Sequence, residues 1–192
     1  MKVLKHRPTG TQLNIENGQD FKTEGATLRA FHCPGHTVDH TAFVLSEESA
    51  MFTGDNVLGH GTAVFEDLAT YLHSLEHMQA QFQGRAYPGH GAVVEDGNSK
   101  IKEYIAHRQK RDGEVLKALE DASPKPLSPM EIVTVVYQGY PENLFEAAAK
   151  GVLQILEKLR QEGKVKQSED KTKWQIVGRA ALQHEMVESR YR

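Results

Sequence analysis

A length of 192 residues with 39% hydrophobic residues is enough for one full domain, or for a partial domain plus a small one, and it excludes a chain disordered throughout. The net charge of −3 gives no overall electrostatic footprint for nucleic acid or an anionic membrane. The one cysteine, Cys33, cannot form an internal disulfide, and no run reaches the roughly 20 apolar residues of a membrane span. We therefore expect a cytoplasmic protein.

Short strands are predicted for the N-terminal part of the chain. Residues 11–30 contain two hairpin signals, Asn17-Gly18 and Glu24-Gly25. Alternating side chains in residues 27–33 predict a strand, and this strand runs into the turn Pro34-Gly35-His36.

Two further strand ends follow the same pattern. Residues 41–45 and 50–53 predict an antiparallel pair, which is followed by Gly54-Asp55. Residues 85–87 predict another strand, and it leads into Pro88-Gly89-His90. In each case a glycine or proline turn lets a short side chain point off the end of a sheet.

The side chains placed at these strand ends are candidate metal ligands. Imidazole nitrogen and carboxylate oxygen suit a borderline cation such as Zn²⁺, and a carboxylate can bridge two ions. We therefore predict metal binding by His36, Asp55 and His90. Cys33 lies beside the first turn, where a thiol can react or ligate, but its place at a strand end favours a small packed residue.

The segment that follows contains a loop and a helix. His60, in Gly59-His60-Gly61, is either a residue that polarises a substrate carbonyl or phosphate, or part of a plain flexible loop. Apolar spacing predicts a helix over residues 67–83. His73 and His77 spell the H-x-x-E-H string of inverted zincins, but at roughly 100° per residue they lie opposite the apolar stripe, which favours a solvated face.

The C-terminal part predicts helix, helix and wing. Helical spacing covers residues 101–119 and 143–162, and a proline-rich linker covers 123–129. Ser128 and Glu131 predict a capping box at the start of a helix. Two short strands at Val165 and over residues 174–177 complete the wing. Six basic residues are candidates for contact with a phosphate backbone or an acidic carrier protein, or else form a solvated surface: Lys158, Arg160, Lys164, Lys166, Lys171 and Lys173.

Three strings resemble the third, fourth and fifth metal motifs of the metallo-β-lactamase superfamily. They are Pro34-Gly35-His36-Thr37-Val38-Asp39-His40, Phe52-Thr53-Gly54-Asp55 and Tyr87-Pro88-Gly89-His90-Gly91. The run over residues 54–68 is similar to two branches of that superfamily, the lactamase-like thioesterases of fungal polyketide pathways and the β-lactamase-like endoribonucleases. The resemblance covers roughly residues 21–177.

The first motif of that superfamily, H-x-H-x-D-H, does not occur in this sequence. The resemblance implies that His36 completes one metal site, His90 the other, and Asp55 bridges them. Each ion would then have two protein ligands, whereas catalytic zinc sites usually have three. We therefore expect the chain to correspond to the C-terminal two-thirds of an enzyme. An apolar sheet face would then be left bare, which would make the chain aggregation-prone or dependent on a partner.

The resemblance implies an α/β fold, the C-terminal part of an αββα sandwich followed by a small winged-helix-like tail. The expected domains are a partial metallo-β-lactamase domain over residues 1–100, a connecting helix over 101–122, the winged-helix-like domain over 123–178 and a frayed tail over 179–192.

The implied activity is that of a metal-dependent hydrolase with two Zn²⁺ ions, most simply a thioesterase that releases a polyketide from an acyl carrier protein in fungal secondary metabolism. Asp55 would position the metal hydroxide, with His60 as a second catalytic candidate. The alternatives are a zinc-dependent endoribonuclease acting on single-stranded RNA, for which a mitochondrial matrix location also fits, and a non-catalytic remnant or interaction module. The partner is then an acyl carrier domain, a small acyl thioester or RNA.

Overall fold

The computed structural model describes residues 3–178, and the chain divides into two compact units between His107 and Arg108. This division falls inside the stretch expected to be a connecting helix. The predicted frayed tail, residues 179–192, lies outside the described residues. No helix within residues 3–178 combines the length and hydrophobicity needed to cross a bilayer.

The first unit contains the strands β1 Leu4–Lys5, β2 Leu13–Asn14, β3 Asp20–Thr23, β4 Ala26–His32, β5 Thr41–Leu45, β6 Ala50–Gly54 and β7 Ala86–Pro88. Five of them form a mixed sheet with the order β3-β4-β5-β6-β7, and a separate two-stranded sheet pairs β1 with β2. Within the larger sheet, neighbouring strands are antiparallel except for the parallel pair β6 and β7.

The predicted hairpin at Glu24-Gly25 is confirmed, but the one at Asn17-Gly18 is wrong. Strand β2 pairs in parallel with β1 and not with β3. Instead, the Gly18 amide donates to Ala30 O at 2.8 Å, and Asn17 Oδ1 accepts the His32 amide at 2.9 Å. The turn therefore docks on β4, because a local turn signal fixes a bend and not the strand that pairs across it.

The two faces of the larger sheet differ in burial. One face carries Ala42, Met51 and Ala86, each fully buried. The other carries aromatic side chains: Phe52 is 41% exposed, and its ring centroid lies 5.0 Å from that of Tyr87. An apolar groove of about 340 Å³ opens beside them, lined by Leu4, Ile15, Phe21, Leu28 and Phe43. Self-association through this face stays a prediction, which sedimentation velocity tests.

Four helices accompany the sheets: α1 Leu68–Gln79, α2 Gly97–Ala122, α3 Pro129–Val136 and α4 Phe145–Gln161. The predicted extension of α1 to residue 83 is wrong. Helix α1 ends at Gln79 because the amides of Gln83 and Gly84 both donate to Ser49 O, which bends the chain back to the sheet. Asp67 caps its start and accepts the Thr70 amide at 2.8 Å.

The second unit matches the predicted helix, helix and wing. Ser128 and Glu131 form the predicted capping box at the start of α3. Strands β8 Val165–Gln167 and β9 Trp174–Ile176 pair antiparallel, and Trp174 is buried. The helix predicted from residue 143 begins instead at Phe145, because Glu142–Leu144 form a 3₁₀ turn, and this turn leaves Leu144 46% exposed.

Candidate functional site

Three strand ends of the larger sheet place His36, Asp55 and His90 together. Asp55 directly follows β6, His90 follows β7, and His36 lies in the turn after β4. The Nε2 atom of His36 is 3.7 Å from Asp55 Oδ2, and the Nε2 atom of His90 is 3.6 Å from Asp55 Oδ1. Each imidazole therefore faces a different oxygen of one carboxylate.

The His36 ring is held in the tautomer that a metal ligand needs. Its Nδ1 atom lies 2.9 Å from Val64 O, and a carbonyl can only accept, so Nδ1 carries the hydrogen. In the neutral ring, Nε2 then presents a lone pair toward Asp55. A carbonyl partner behind the ring is the usual way to orient a ligating histidine.

The donor atoms of this site fit a cation between them. Both nitrogen–oxygen separations exceed hydrogen-bond length. They are nevertheless shorter than the sum of two ordinary Zn²⁺–ligand distances, about 4 Å, so one ion can contact both atoms of a pair. Asp55 Oδ1 is buried without a hydrogen bond, which leaves it open to an ion. Within residues 3–178, no three His, Cys, Asp or Glu side chains are grouped to hold one ion. The arrangement is of two half-sites that share a carboxylate.

A further histidine holds the main chain of Asp55. His40 Nε2 accepts the Asp55 amide at 3.2 Å, so the ring hydrogen is on Nδ1, which lies 3.4 Å from Cys33 Sγ. Burial, aided by the charge of His36, lowers the pKa of His40 to about 4, and the ring is neutral at pH 7. Gly54 makes this contact possible, since a Cβ there would lie 2.7 Å from His40 Nε2.

Cys33 is a packed residue at the end of its strand. Its side chain is buried, and burial raises the pKa of the thiol to about 12, against smaller opposing hydrogen bonds. The thiol is therefore protonated at neutral pH and is neither a nucleophile nor a thiolate ligand.

Asn56 ties the His36 turn to the Asp55 loop. The residue is fully buried, its Nδ2 donates to Cys33 O at 2.7 Å, and its Oδ1 accepts the His36 amide at 2.9 Å. The main-chain carbonyl of Asn56 accepts the Tyr71 hydroxyl hydrogen at 2.7 Å. Both sides of the carboxamide are thus used within one pair of loops.

His60 lies next to the His90 turn on the protein surface. The Gly59 amide donates to His90 O at 2.9 Å, and a Cβ on Gly91 would be 2.8 Å from His60 Nδ1. The His60 loop is pinned from α2, because the Tyr104 hydroxyl donates to Gly61 O at 2.8 Å. These contacts place the His60 ring at the edge of the site.

The histidines of the H-x-x-E-H string do not belong to this site. His73 and His77 are exposed on α1, as their spacing predicts, and their ring centroids are 4.0 Å apart.

Most of the basic residues proposed as a contact surface on the second unit have acidic neighbours. Lys158 lies between Asp112 and Glu162, at 2.8 and 2.7 Å. Three further pairs join Arg160 to Glu157, Lys164 to Glu162 and Lys173 to Glu131. These pairs lower the positive potential available to a phosphate backbone.

Sequence reasoning missed the supporting residues of the site. His40 lies in one of the metal-motif strings but had no predicted role, and nothing in the composition marked Asn56 or Val64. Their roles arise from hydrogen bonds between residues 15 to 28 positions apart, which a local pattern does not encode.

Two family models match parts of this chain. Residues 5–90 match the metallo-beta-lactamase superfamily, and residues 128–174 match the beta-lactamase associated winged helix domain. A metallo-beta-lactamase family protein from Thermus thermophilus is 26% identical with a TM-score of 0.70, covering 88% of this chain and 56% of that one. A beta-lactamase domain protein from Burkholderia ambifaria, 21% identical, shares the fold with a TM-score of 0.74 over 86% of this chain and 52% of its own.

Curated relatives are more similar in sequence. The lactamase-like protein notP of Aspergillus sp. (strain MF297-2) is 42% identical over 85% of this chain and 54% of its own length. The beta-lactamase-like protein 2 homolog of Drosophila melanogaster is 44% identical over 86% of this chain and 57% of its own length. The chain thus spans little more than half of these relatives. Residues 5–90 are therefore a metallo-beta-lactamase superfamily domain, and residues 128–174 are a beta-lactamase associated winged helix domain.

Proposed function

We propose that this chain supplies half of a two-metal hydrolase centre, and that the reaction is hydrolysis of an acyl thioester. The observation that carries the proposal is the Asp55 carboxylate, which presents one oxygen to His36 and the other to His90 at 3.7 and 3.6 Å. A carboxylate in that position is suited to bridge two divalent cations, with Zn²⁺ the preferred ion for this donor set.

Bound metal would supply Lewis acidity and a water whose pKa falls from 15.7 to about 7. The residues of this chain would hold and orient that centre. Asp55 would contribute an oxygen to each half-site, and His36 the Nε2 lone pair fixed by its bond to Val64 O. His60, whose loop contacts the His90 turn, is the proposed donor of a hydrogen bond to the carbonyl oxygen of an acyl substrate.

The thioesterase proposal rests on the resemblance of residues 55–68 and 87–91 to the fungal branch. Fungal lactamase-like proteins are 42% identical over 85% of this chain. The beta-lactamase-like protein 2 homolog of Drosophila melanogaster is 44% identical, so overall identity does not decide between the two branches. The acyl group would be carried by an acyl carrier domain of a polyketide synthase. Lys166 and Lys171 are exposed on the wing and are the proposed contacts for an acidic carrier.

RNA is the less favoured candidate for the substrate. Acidic partners within the chain surround Lys158, Arg160, Lys164 and Lys173, which reduces the phosphate-binding surface of the winged helix.

The proposal is tested with purified chain, Zn²⁺ and an acyl-pantetheine thioester. Calorimetry should give two equivalents of Zn²⁺, and a thiol reagent should detect released thiol. His36→Ala and His90→Ala should each lose one equivalent, because each histidine faces a different oxygen of Asp55. Asp55→Ala should lose both.

Two outcomes contradict the thioesterase assignment. Cleavage of labelled single-stranded RNA without thiol release would assign a ribonuclease. Failure of the wild-type chain to take up any metal would assign a non-catalytic interaction module.

A further inference from the structure

We infer that Asn56 is a positioning residue, whose buried carboxamide sets the separation between the two candidate ligands His36 and Asp55. The inference rests on the proposed metal site for its chemical meaning. Its geometric content, the placement of one loop relative to another, does not depend on metal being bound.

The carboxamide replaces the hydrogen bond that normally closes a four-residue turn. In residues 33–36 the first carbonyl and the last amide would bond each other in a closed β-turn. Here Cys33 O accepts from Asn56 Nδ2 at 2.7 Å, and the His36 amide donates to Asn56 Oδ1 at 2.9 Å. The turn is therefore closed through a side chain that belongs to the neighbouring loop.

This connection is short, because Asn56 directly follows Asp55 in the chain. The path from the His36 main chain to the Asp55 main chain runs through one hydrogen bond and one side chain. A displacement of Asn56 must change the distance between the His36 imidazole and the Asp55 carboxylate, now 3.7 Å. Two-ligand sites are sensitive to such shifts, since geometry must be held within about 0.5 Å.

The surroundings leave Asn56 little freedom to move. Its side chain is fully buried, and its main-chain carbonyl oxygen accepts a hydrogen bond from the Tyr71 hydroxyl at 2.7 Å. Gly35 permits the approach, because a Cβ there would lie 3.0 Å from Asn56 Oδ1 and 2.6 Å from the Tyr71 ring. Both carboxamide ends have partners of the matching type, so the orientation of the amide is determined by its neighbours.

Ser74, in helix α1, offers a matched control for the same turn. Its hydroxyl donates to Pro34 O, so Ser74→Ala also removes a part-buried hydrogen bond to residues 33–36. That bond comes from helix α1 and not from the residue beside Asp55. Comparing the two variants therefore separates a general loosening of the turn, which both would cause, from a changed position of the turn relative to Asp55, which only the Asn56 variant would cause.

The first test needs no metal. Amide hydrogen exchange at His36 should accelerate at least about tenfold in Asn56→Ala, because the amide loses its acceptor. It should change little in Ser74→Ala. Asn56→Asp has nearly the same volume and keeps the hydrogen-bond acceptor but loses the donor. It should give an intermediate exchange rate, and it replaces the alanine variant if that variant does not fold. Equal exchange rates in wild type and Asn56→Ala would overturn the inference.

The second test measures Co²⁺ affinity by the visible absorption of the bound ion. Asn56→Ala should weaken binding by about 10 to 100-fold, the range for groups that orient a ligand, with Ser74→Ala within a few-fold of wild type. Equal losses in the two variants would show a merely structural role. If wild type binds no Co²⁺, the proposed metal centre fails, while the exchange measurement still decides whether Asn56 positions the turn.

Discussion

The two units of this protein differ in whether an aspartate carboxylate has a cationic partner within the chain. In the first unit, Asp55 Oδ1 is buried without a hydrogen bond, and two imidazoles face the carboxylate beyond bonding distance. In the second, Asp112 is buried and its Oδ1 also lacks a hydrogen bond, but its Oδ2 pairs with Lys158 at 2.8 Å, and Lys158 in turn reaches Glu162. One cluster is left open to an external cation, and the other is closed by a lysine of the same chain.

We interpret this difference as one between a candidate metal ligand and a structural ion pair. A carboxylate oxygen that is buried with neither a hydrogen-bond donor nor a cation costs free energy, and the proposed cation would offset that cost at Asp55 Oδ1. A carboxylate paired inside the chain already has its counterion and contributes to one unit's own packing. The prediction is that substitution of the two aspartates shifts stability in opposite directions.

Asp55→Asn should have the largest effect on metal binding. The substitution replaces one carboxylate oxygen by an amide nitrogen and removes the negative charge. The affinity for Zn²⁺ should therefore fall by more than the roughly 10 to 100-fold that is typical when a residue that only orients a metal ligand is changed. In metal-free buffer the same variant should be more stable, by about 1 kcal/mol, since the amide can donate to a neighbouring imidazole. Calorimetry and thermal unfolding measure the two effects. A lower melting temperature without metal would contradict the comparison.

Gly54→Ala should damage both stability and the site. Gly54 has φ of +54°, and an added Cβ would lie 2.7 Å from His40 Nε2. We expect a loss of about 1 to 3 kcal/mol together with weaker metal binding, because His40 holds the Asp55 amide.

The matched control for this glycine is Gly25→Ala. Gly25 has φ of +81° with no heavy atom near the added Cβ, so it tests backbone strain alone. Metal affinity should be unchanged in the control. Equal metal affinities in the two variants would mean that the contact with His40 does not place Asp55.

Asp112→Asn should destabilise the second unit. The Lys158 side chain is 12% exposed and pairs with Asp112 and Glu162. The neutral amide removes the first of these two ion pairs and leaves the second. The expected loss is about 1 to 3 kcal/mol, with no change in metal affinity. Asp121→Asn is the control, because its pair with Lys117 is exposed and should contribute less than about 0.5 kcal/mol. Denaturant unfolding that fails to separate these two variants would remove the distinction drawn for the second unit.

The smallest predicted effect concerns pH and the capping box. Hydrogen bonds from the Ser128 amide and hydroxyl, with a further contribution from Lys173, lower the pKa of Glu131 from 4.5 to about 2. As pH falls, the unfolded chain therefore binds this proton first. The contribution of Glu131 to stability is present above about pH 4.5 and is lost toward pH 2.

Glu131→Gln keeps an acceptor at this helix start but cannot titrate. Melting temperatures at pH 7, 4.5 and 3 should show a smaller acid-induced decrease in the variant than in wild type. Ser128→Ala, which removes the cap itself, should cost about 1 kcal/mol at pH 7. Parallel pH profiles for wild type and Glu131→Gln would contradict the assigned cause.

Local rules predicted much of the fold. Strand patterns predicted β4, β5 and β6, and the capping box predicted the start of α3. Both signals act within a few residues, where one side chain bonds or packs against its near neighbours. The failures at Asn17-Gly18, at the end of α1 and at Leu144 all involve contacts or phase changes set from outside the local window.

The sequence alone determined which side chains stand at the strand ends, because turn residues after a strand specify where His36, Asp55 and His90 leave the sheet. Only the tertiary structure decided that they converge, that each imidazole takes its own oxygen of Asp55, and that Asn56, His40 and Val64 hold them there. Convergence depends on strand order and on hydrogen bonds between distant residues, and neither is written in a local pattern.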